Sequence, residues 1–312
     1  MRILVTGTTG FIAPRLARKL IDLGHKVYGL ERYVTGRTFY QKDERINRVC
    51  GDLCDHHAIK RIINTIQPEA VFHLAALSPV AISYEQPTIV NRTNYLATIN
   101  LAEACMRQVD SFKHFIFAGT SEEYGNQEVF PIRETAQLFP NSPYAVSKVA
   151  ANLYLDFMHE AYDFPVTVCR PFNTYGRVGT THFVVERIIS QILDGAETLK
   201  LGDPLPVRDL MFREDHVDAY LSVFGNPEQS IGEVFNFCTG EGYAILELVN
   251  LISEKTGFKG CVNWNTIPKR PLDIDTLIGD PVKAQQILKW QSKYSLSKGL
   301  DLTISELRNQ NG

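Results

Sequence analysis

Residues 2–16 read RILVTGTTGFIAPRL. Ile3, Leu4, Val5 and Thr6 form a short apolar, β-branched run, the mark of a buried strand. The run stops at Gly7-Thr8-Thr9-Gly10, and a helical pattern opens beyond it. Gly7 permits a tight turn. Gly10 lets the backbone approach a diphosphate, which then sits on the N–H groups at the helix start. Thr9, Phe11 and Ile12 are expected to line the same place. A Gly-x-x-Gly alone is weak evidence, and its force depends on what surrounds it.

What surrounds it is alternation. RILVT (2–6), KVYGL (26–30), AVFHLA (70–75), HFIFAG (114–119) and PVTVCR (165–170) read as buried parallel strands. Helical stretches are predicted between them near 11–23, 55–66, 88–108 and 144–163. Strand–helix alternation implies an α/β fold, a Rossmann-type doubly wound parallel sheet whose ligand crevice lies at the strand C-terminal ends. After Arg170 the pattern loosens, with further helices near 182–194 and 245–257. This predicts a dinucleotide-binding domain over 1–170 and a smaller C-terminal substrate-binding lobe over 171–312, part of 206–240 returning to the main sheet.

Composition sets outer limits. The 312 residues are 44% hydrophobic and 21% charged with a net charge of −3, which gives no reason to expect a nucleic-acid or anionic-membrane partner. No apolar run approaches the ~18 residues of a membrane span, and MRILVTG lacks a signal-peptide layout. A cytoplasmic protein is expected. The cysteines at 50, 54, 105, 169, 238 and 261 are read as reduced core residues. Cys50 and Cys54 lie near His56 and His57, but no second cluster stands at ligand spacing, so no metal is expected.

The second strand ends GLERY. Glu31 stands where a carboxylate would bond adenosine ribose hydroxyls, which favours NAD; Arg32 beside it would suit the 2′-phosphate of NADP, the alternative. Asp52 and Leu53 in GDL stand where an adenine edge would be met. Leu74, Ala75 and Ala76 in HLAALS bring small and apolar residues to the cofactor.

SPYAVSK sets Tyr144 and Lys148 four apart on one helix face. A tyrosine of pKa ~10 is a poor base at neutral pH; a nearby ammonium and a cationic nicotinamide ring would lower it. Lys148 would also hold the nicotinamide ribose. The apolar run HFIFAG leads into TSEEYGNQ, which sets two hydroxyls and a carboxylate where a turn usually carries Gly, Asn or Asp.

TGTTGFIA, GDL, HLAALS, TSEEYG, PYAVSK, RPFNTYG and RDLMFREDH occur in the order of the extended short-chain dehydrogenase/reductase family. The chain resembles that family over essentially its whole length, and within it most resembles nucleotide-sugar 4,6-dehydratases acting on GDP-mannose and on UDP-N-acetylglucosamine. The resemblance implies roles. Tyr144 takes the proton from sugar O4 as NAD takes hydride from C4, and Thr120 shares the O4 hydrogen bond. Glu122 removes the acidified C5 proton. The C6 hydroxyl leaves as water, protonated through Ser121 or Glu122, hydride returns to C6, and C5 is reprotonated. NAD is then regenerated each turnover and is expected to be tightly held. Glu123 is expected to be solvated. Family members that only epimerise C4 typically have a serine-rich turn without the glutamate, and UDP-glucuronate decarboxylases share Thr-Ser-Glu.

For the substrate, the resemblance implies that Arg187, Arg208 and Arg270 meet the nucleotide or its diphosphate, in keeping with the two-pronged guanidinium. Asn173 contacts phosphate or sugar, Ser78 and Val184 line the site, and Asn94 shapes the active-site helix. RPFNTYGRVG departs from the RLFNHESPRRG of GDP-mannose enzymes and looks more like the UDP-N-acetylglucosamine group, and Glu31 departs from the NADP pattern of the former. The nucleobase stays open. A C4 epimerase, a decarboxylase and a nucleotide-sensing protein without catalysis remain rivals. A homodimer or dimer of dimers is expected, through helices containing 88–108 and 144–163.

Overall fold

The structure, a computed structural model, describes residues 1–32 and 43–311. In chain order the first part runs β1 (Arg2–Thr6), α1 (Ala13–Asp22), β2 (Lys26–Glu31), β3 (Asn47–Cys50), α2 (His56–Ile66), β4 (Ala70–His73), α3 (Val80–Glu85), α4 (Pro87–Asn91), a π-helical turn (Arg92–Leu96), α5 (Ala97–Gln108), β5 (His114–Ala118), a 3₁₀ turn (Ser121–Tyr124), α6 (Pro143–Tyr162) and β6 (Val166–Pro171). The second part runs β7 (Asn173–Tyr175), α7 (Val184–Leu193), β8 (Thr198–Lys200), β9 (Val207–Phe212), α8 (Arg213–Gly225), α9 (Pro227–Ser230), β10 (Val234–Phe237), β11 (Gly242–Ala244), α10 (Ile245–Thr256), β12 (Cys261–Asn263), β13 (Thr276–Leu277), α11 (Val282–Leu288) and α12 (Leu296–Asn311).

Seven parallel strands form the main sheet in the order β10-β6-β5-β4-β1-β2-β3. The order reverses between β1 and β4, the switch point at which open α/β sheets bind ligands. Alternate residues of the strands face opposite layers, as the two-residue strand period requires. Ile3 and Val5 pack with Leu16 and Leu20 of α1 and Val217 and Val223 of α8. Leu4 packs on the other side with Ile59 and Ile63 of α2, Leu101 of α5 and Leu155 of α6. Helix starts are set by side chains: Asp55 accepts from Ala58 N at 3.0 Å ahead of α2, and Ser142 from Ala145 N at 3.1 Å ahead of α6, where Pro143 opens the first turn.

The smaller lobe gathers β7, β11 and β13 around β9, with β8 and β12 as a two-stranded ribbon. Its core joins Ile188, Leu210, Phe212, Leu248, Ile252 and Leu300. The chain then crosses back, since α8 packs on the main sheet and β10 forms its edge.

Three expectations need correction. The stretch near 88–108 is not one helix but α4 and α5 joined through the π turn. Cys50 and Cys261 are exposed because they lie on the edge strands β3 and β12, and Cys54, in the turn before α2, is half-buried; only Cys105, Cys169 and Cys238 lie in the core. Glu123 is not solvated but fully buried. Its carboxylate accepts from Arg170 Nε at 2.8 Å and from Thr120 N at 3.0 Å, while Arg170 also donates to Tyr124 Oη (3.0 Å) and Asn152 Oδ1 (3.3 Å). Among the described residues no helix is long and apolar enough to cross a membrane, and no cluster of His, Cys, Asp and Glu is arranged to hold a metal ion.

The Arg170–Glu123 pair joins β6 to the turn after β5. Removing one partner leaves a buried charge uncompensated, so Arg170→Met is expected to lower stability by about 3–5 kcal/mol. Urea unfolding of the variant would measure this; a loss below 1 kcal/mol would show that the pair is dispensable.

Candidate active site

A cleft of about 870 Å³ opens between the sheet's C-terminal edge and the smaller lobe. Gly7 takes φ +80°, and a Cβ there would lie 3.1 Å from Ala75 Cα, so the first turn and the loop after β4 touch backbone to backbone. Gly10 N closes the turn onto Gly7 O at 2.8 Å. Ile12 precedes α1 and supplies no side-chain cap, leaving the N–H groups of the helix head for an anion from outside the helix. Thr9, Phe11 and Ile12 line this part of the cleft. Glu31 is buried at the end of β2, where Thr8 Oγ1 donates to it at 3.3 Å and Arg48 lies 3.7 Å away. Arg32 is exposed, and Asp52, Leu53, Leu74, Ala75 and Ala76 complete this end. The site fits a dinucleotide through its glycine turn, its uncapped helix head and its buried carboxylate at the strand-two position.

A chain of hydrogen bonds runs from this end to α6, which carries Tyr144 and Lys148. Thr6 Oγ1 accepts from Leu74 N (3.1 Å) and Ala75 N (3.0 Å), so its own proton goes to His73 Nδ1 at 2.9 Å. His73 Nε2 donates to Thr98 Oγ1 (2.9 Å), which donates to Asn94 O (2.6 Å). The side chain of Asn94, within the π turn, accepts from Leu77 N (2.8 Å) and donates to Leu77 O (3.1 Å) and Ser147 Oγ (3.1 Å); Ser147 donates to Tyr144 O at 2.6 Å.

Thr120 heads the 3₁₀ turn and accepts from Glu122 N at 3.3 Å, and its side chain also bonds Tyr144. Ser121 and Glu122 follow on the cleft wall. Glu122 is buried, and its Oε2 has no hydrogen-bond partner. Lys148 donates to Ala118 O at 2.7 Å, with its ammonium 4.8 Å from the Phe117 ring centre.

Across the cleft Arg208 donates to Ile274 O (2.7 Å) and Val207 O (2.9 Å), and Arg270 pairs with Asp273. Arg187 donates to Thr181 O at 2.9 Å. Asn173 Oδ1 is buried without a partner, and Ser78 and Val184 line the wall. Every residue expected at the site thus borders one cleft, apart from Asn94, which acts from behind it. Sequence reasoning missed Arg177, Phe183, His216 and Asp273, which border it too. His216 stood in RDLMFREDH but was given no role; it meets Thr174 Oγ1 at 2.8 Å and Tyr220 Oη at 3.2 Å. The acid that pairs with Arg270 lies three residues on, a signal open to view.

Known proteins resemble this chain over nearly its whole length. The sequence profile of one family, described as GDP-mannose 4,6 dehydratase, matches residues 4–303. The chain is 31% identical to a UDP-glucose 4-epimerase of Mycolicibacterium smegmatis over 99% of each chain. It is 30% identical to a GDP-mannose 4,6-dehydratase of Yersinia enterocolitica over 95% of this chain and 90% of the relative. Among solved structures, the UDP-glucose 4-epimerase of Thermotoga maritima with UDP-glucose superposes with a TM-score of 0.93 at 33% identity, covering 100% of both chains. The Thermus thermophilus UDP-glucose 4-epimerase complex with NAD gives 0.89 at 29% identity over 99% of both.

Burial dominates the electrostatics of the cleft. It pushes the Tyr144 phenol above the ordinary tyrosine range, with Glu122 and Glu123 adding to the rise and the Thr120 hydrogen bond and Arg177 opposing it. The lowering expected from Lys148 does not appear: the phenol moves up, and the groups that oppose the rise are Thr120 and Arg177. Burial also pulls Lys148 down to about 8, against the pull of Glu123, and holds His73 at about 3 with help from Lys148. His73 is therefore neutral, in the Nε2–H form that its partners require. Between pH 8 and the ordinary lysine range near ~10.4, the unfolded chain binds more protons at Lys148 than the folded one, so stability rises with pH across that window. Relative to Lys148→Met, the native protein is expected to gain about 2 kcal/mol from pH 8 to 10 and almost nothing below pH 7. Urea titrations at four pH values would test this; a constant difference would show that the ammonium is not desolvated.

Proposed function

We propose, because this chain belongs to the GDP-mannose 4,6 dehydratase family, that it is a nucleotide-sugar 4,6-dehydratase forming an NDP-4-keto-6-deoxyhexose, with GDP-mannose the favoured substrate and UDP-N-acetylglucosamine the alternative. The family's enzymes use NAD(P), and the buried Glu31 favours NAD. A carboxylate facing a 2′-phosphate would be costly. When bound, NAD would supply the hydride acceptor for C4 and the donor for C6.

The observation that carries this reading is Glu122, a buried carboxylate with an unpartnered oxygen on the cleft wall. Such an oxygen is expensive unless a ligand answers it. A general base for the sugar C5 proton is the role it fits. Tyr144 would take the O4 proton as phenolate, a form that burial disfavours and that the cationic ring of a bound NAD would favour, and the Thr120 hydroxyl, already bonded to it, shares that oxygen. Ser121 or Glu122 passes the C5 proton to the departing C6 hydroxyl, which leaves as water, and the proton taken from O4 by Tyr144 is returned to C5, so the water lost is balanced and both side chains are reset. Arg208 and Arg270 would hold the diphosphate, whose charge can replace their present carbonyl and Asp273 partners. Arg187 and Asn173 would add contacts to nucleotide and sugar.

A second reading, C4 epimerisation, is favoured by the likeness to UDP-glucose 4-epimerases. It leaves Glu122 without work. We further propose a cytoplasmic homodimer. Ile89, Leu96, Val146, Leu153 and Phe157 leave large apolar side chains exposed on α4, the π turn and α6, a patch suited to a two-fold helical interface. Sedimentation showing only monomer at micromolar concentration would remove the dimer.

The purified protein should be incubated separately with GDP-mannose, UDP-N-acetylglucosamine, UDP-glucose, dTDP-glucose and UDP-glucuronate, without added cofactor. Loss of one water from one of them is the expected result. Loss of carbon dioxide would mean a decarboxylase, and an isomer of unchanged mass an epimerase. In Glu122→Gln, water loss is expected to fall about 10²–10⁴-fold while reduced dinucleotide still accumulates on mixing with substrate. Undiminished dehydration would remove Glu122 from the mechanism.

A further inference from the structure

Arg177 is attached to one side of the cleft and reaches to the other. Its backbone N–H donates to Glu186 Oε1 at 2.8 Å, its guanidinium lies 3.8 Å from that oxygen, and it donates to the Thr174 carbonyl. Those partners belong to β7 and α7, in the smaller lobe. The guanidinium carbon lies 3.7 Å from the ring centre of Phe183, at the head of α7, and 4.6 Å from that of Phe11. Phe11 belongs to the glycine turn of the main sheet. Both distances are within cation–π range. Arg177, Phe11 and Phe183 all border the cleft, so the contact links its two walls beside the turn expected to hold the cofactor diphosphate.

We propose that Arg177 is a latch across the cleft, which closes the site over the dinucleotide and delays its escape. The contact is made by protein groups alone and needs no ligand to form. Entry must therefore break it as much as exit. The inference rests on the dinucleotide reading above, and it supplies what that chemistry needs: electrons taken from the sugar must return to the same sugar, so the dinucleotide has to outstay the oxidised intermediate. Arginine suits the task because its planar, weakly hydrated cation lies flat on a ring.

The test is stopped-flow fluorescence of NADH binding and displacement in the full-length protein, with Arg177→Ala and Phe183→Leu beside the native chain. Phe183→Leu keeps an apolar side chain and the arginine but removes one ring face. Circular dichroism checks folding, and the second variant carries the test if the first does not fold. For a latch, NADH association and dissociation both quicken in each variant, dissociation by roughly tenfold or more. Less NADH dissociation in the variants, or rates within twofold of native, would overturn the proposal. So would faster dissociation with unchanged association, which is the behaviour of a direct phosphate ligand. If the native protein binds no NADH, the cofactor reading itself fails, and this loading step reports that failure separately.

Discussion

The hydroxyl of Thr6 ends the first strand and accepts two backbone N–H groups from the loop after β4. Because both lone-pair directions are engaged, its proton has one place to go, and His73 receives it. The donor–acceptor order of everything beyond follows, through Thr98 to Asn94. Asn94 in turn holds Leu77 at both backbone groups and bonds Ser147, one turn along the helix that carries Tyr144 and Lys148. The glycine turn and the Tyr-Lys pair are distant in the chain, yet one series of buried hydrogen bonds relates them. In a dry interior such a series is strong only when every member is satisfied, and a neutral His73 meets that condition.

Against this satisfied scaffold the unsatisfied groups stand out. Two adjacent glutamates follow Thr120. Glu123 is answered from both sides, by Arg170 and by the Thr120 N–H. Glu122 keeps one buried oxygen unanswered. The first fixes the turn and the second is left for a ligand. Asn173 carries a similar unpartnered oxygen, while the two arginines proposed for the diphosphate are occupied by carbonyls and by Asp273. The cleft therefore holds unspent hydrogen-bonding capacity at Glu122 and Asn173 and balanced charge at Arg208 and Arg270.

Much of this was legible in the residues. The five strands read from the sequence are buried on both faces, so they appear as unbroken apolar runs, and the glycine turn and the Tyr-Lys spacing are local patterns. β3 was not legible. It is an edge strand of four residues, NRVC, and an edge strand does not need an apolar run. α8 was not predicted either: it opens with Arg213, Glu214 and Asp215, charges that show no apolar helix start although Asp215 is buried against the backbone of Lys293 and Tyr294. Glu123 was misjudged because its partner, Arg170, is remote in sequence. Arg177 was passed over for the same reason, since its rings come from residues 11 and 183. Pairings of this kind exist only after folding, and no window along the chain displays them.

The π turn at Arg92–Leu96 carries one more residue than an α-helical turn would. In an α-helix each residue advances the face by about 100°. The extra residue therefore sets α4 and α5 out of phase, and Asn94 occupies the place where the phase slips. Removing one residue there would restore regular helical hydrogen bonding and, at the same stroke, swing Ile89 and Val90 around the axis. The exposed member of that pair would turn inward and the buried one outward. The irregularity thus works as a spacer in angle rather than in length, letting one stretch of chain present an outer face before the break and a core-packed face beyond it.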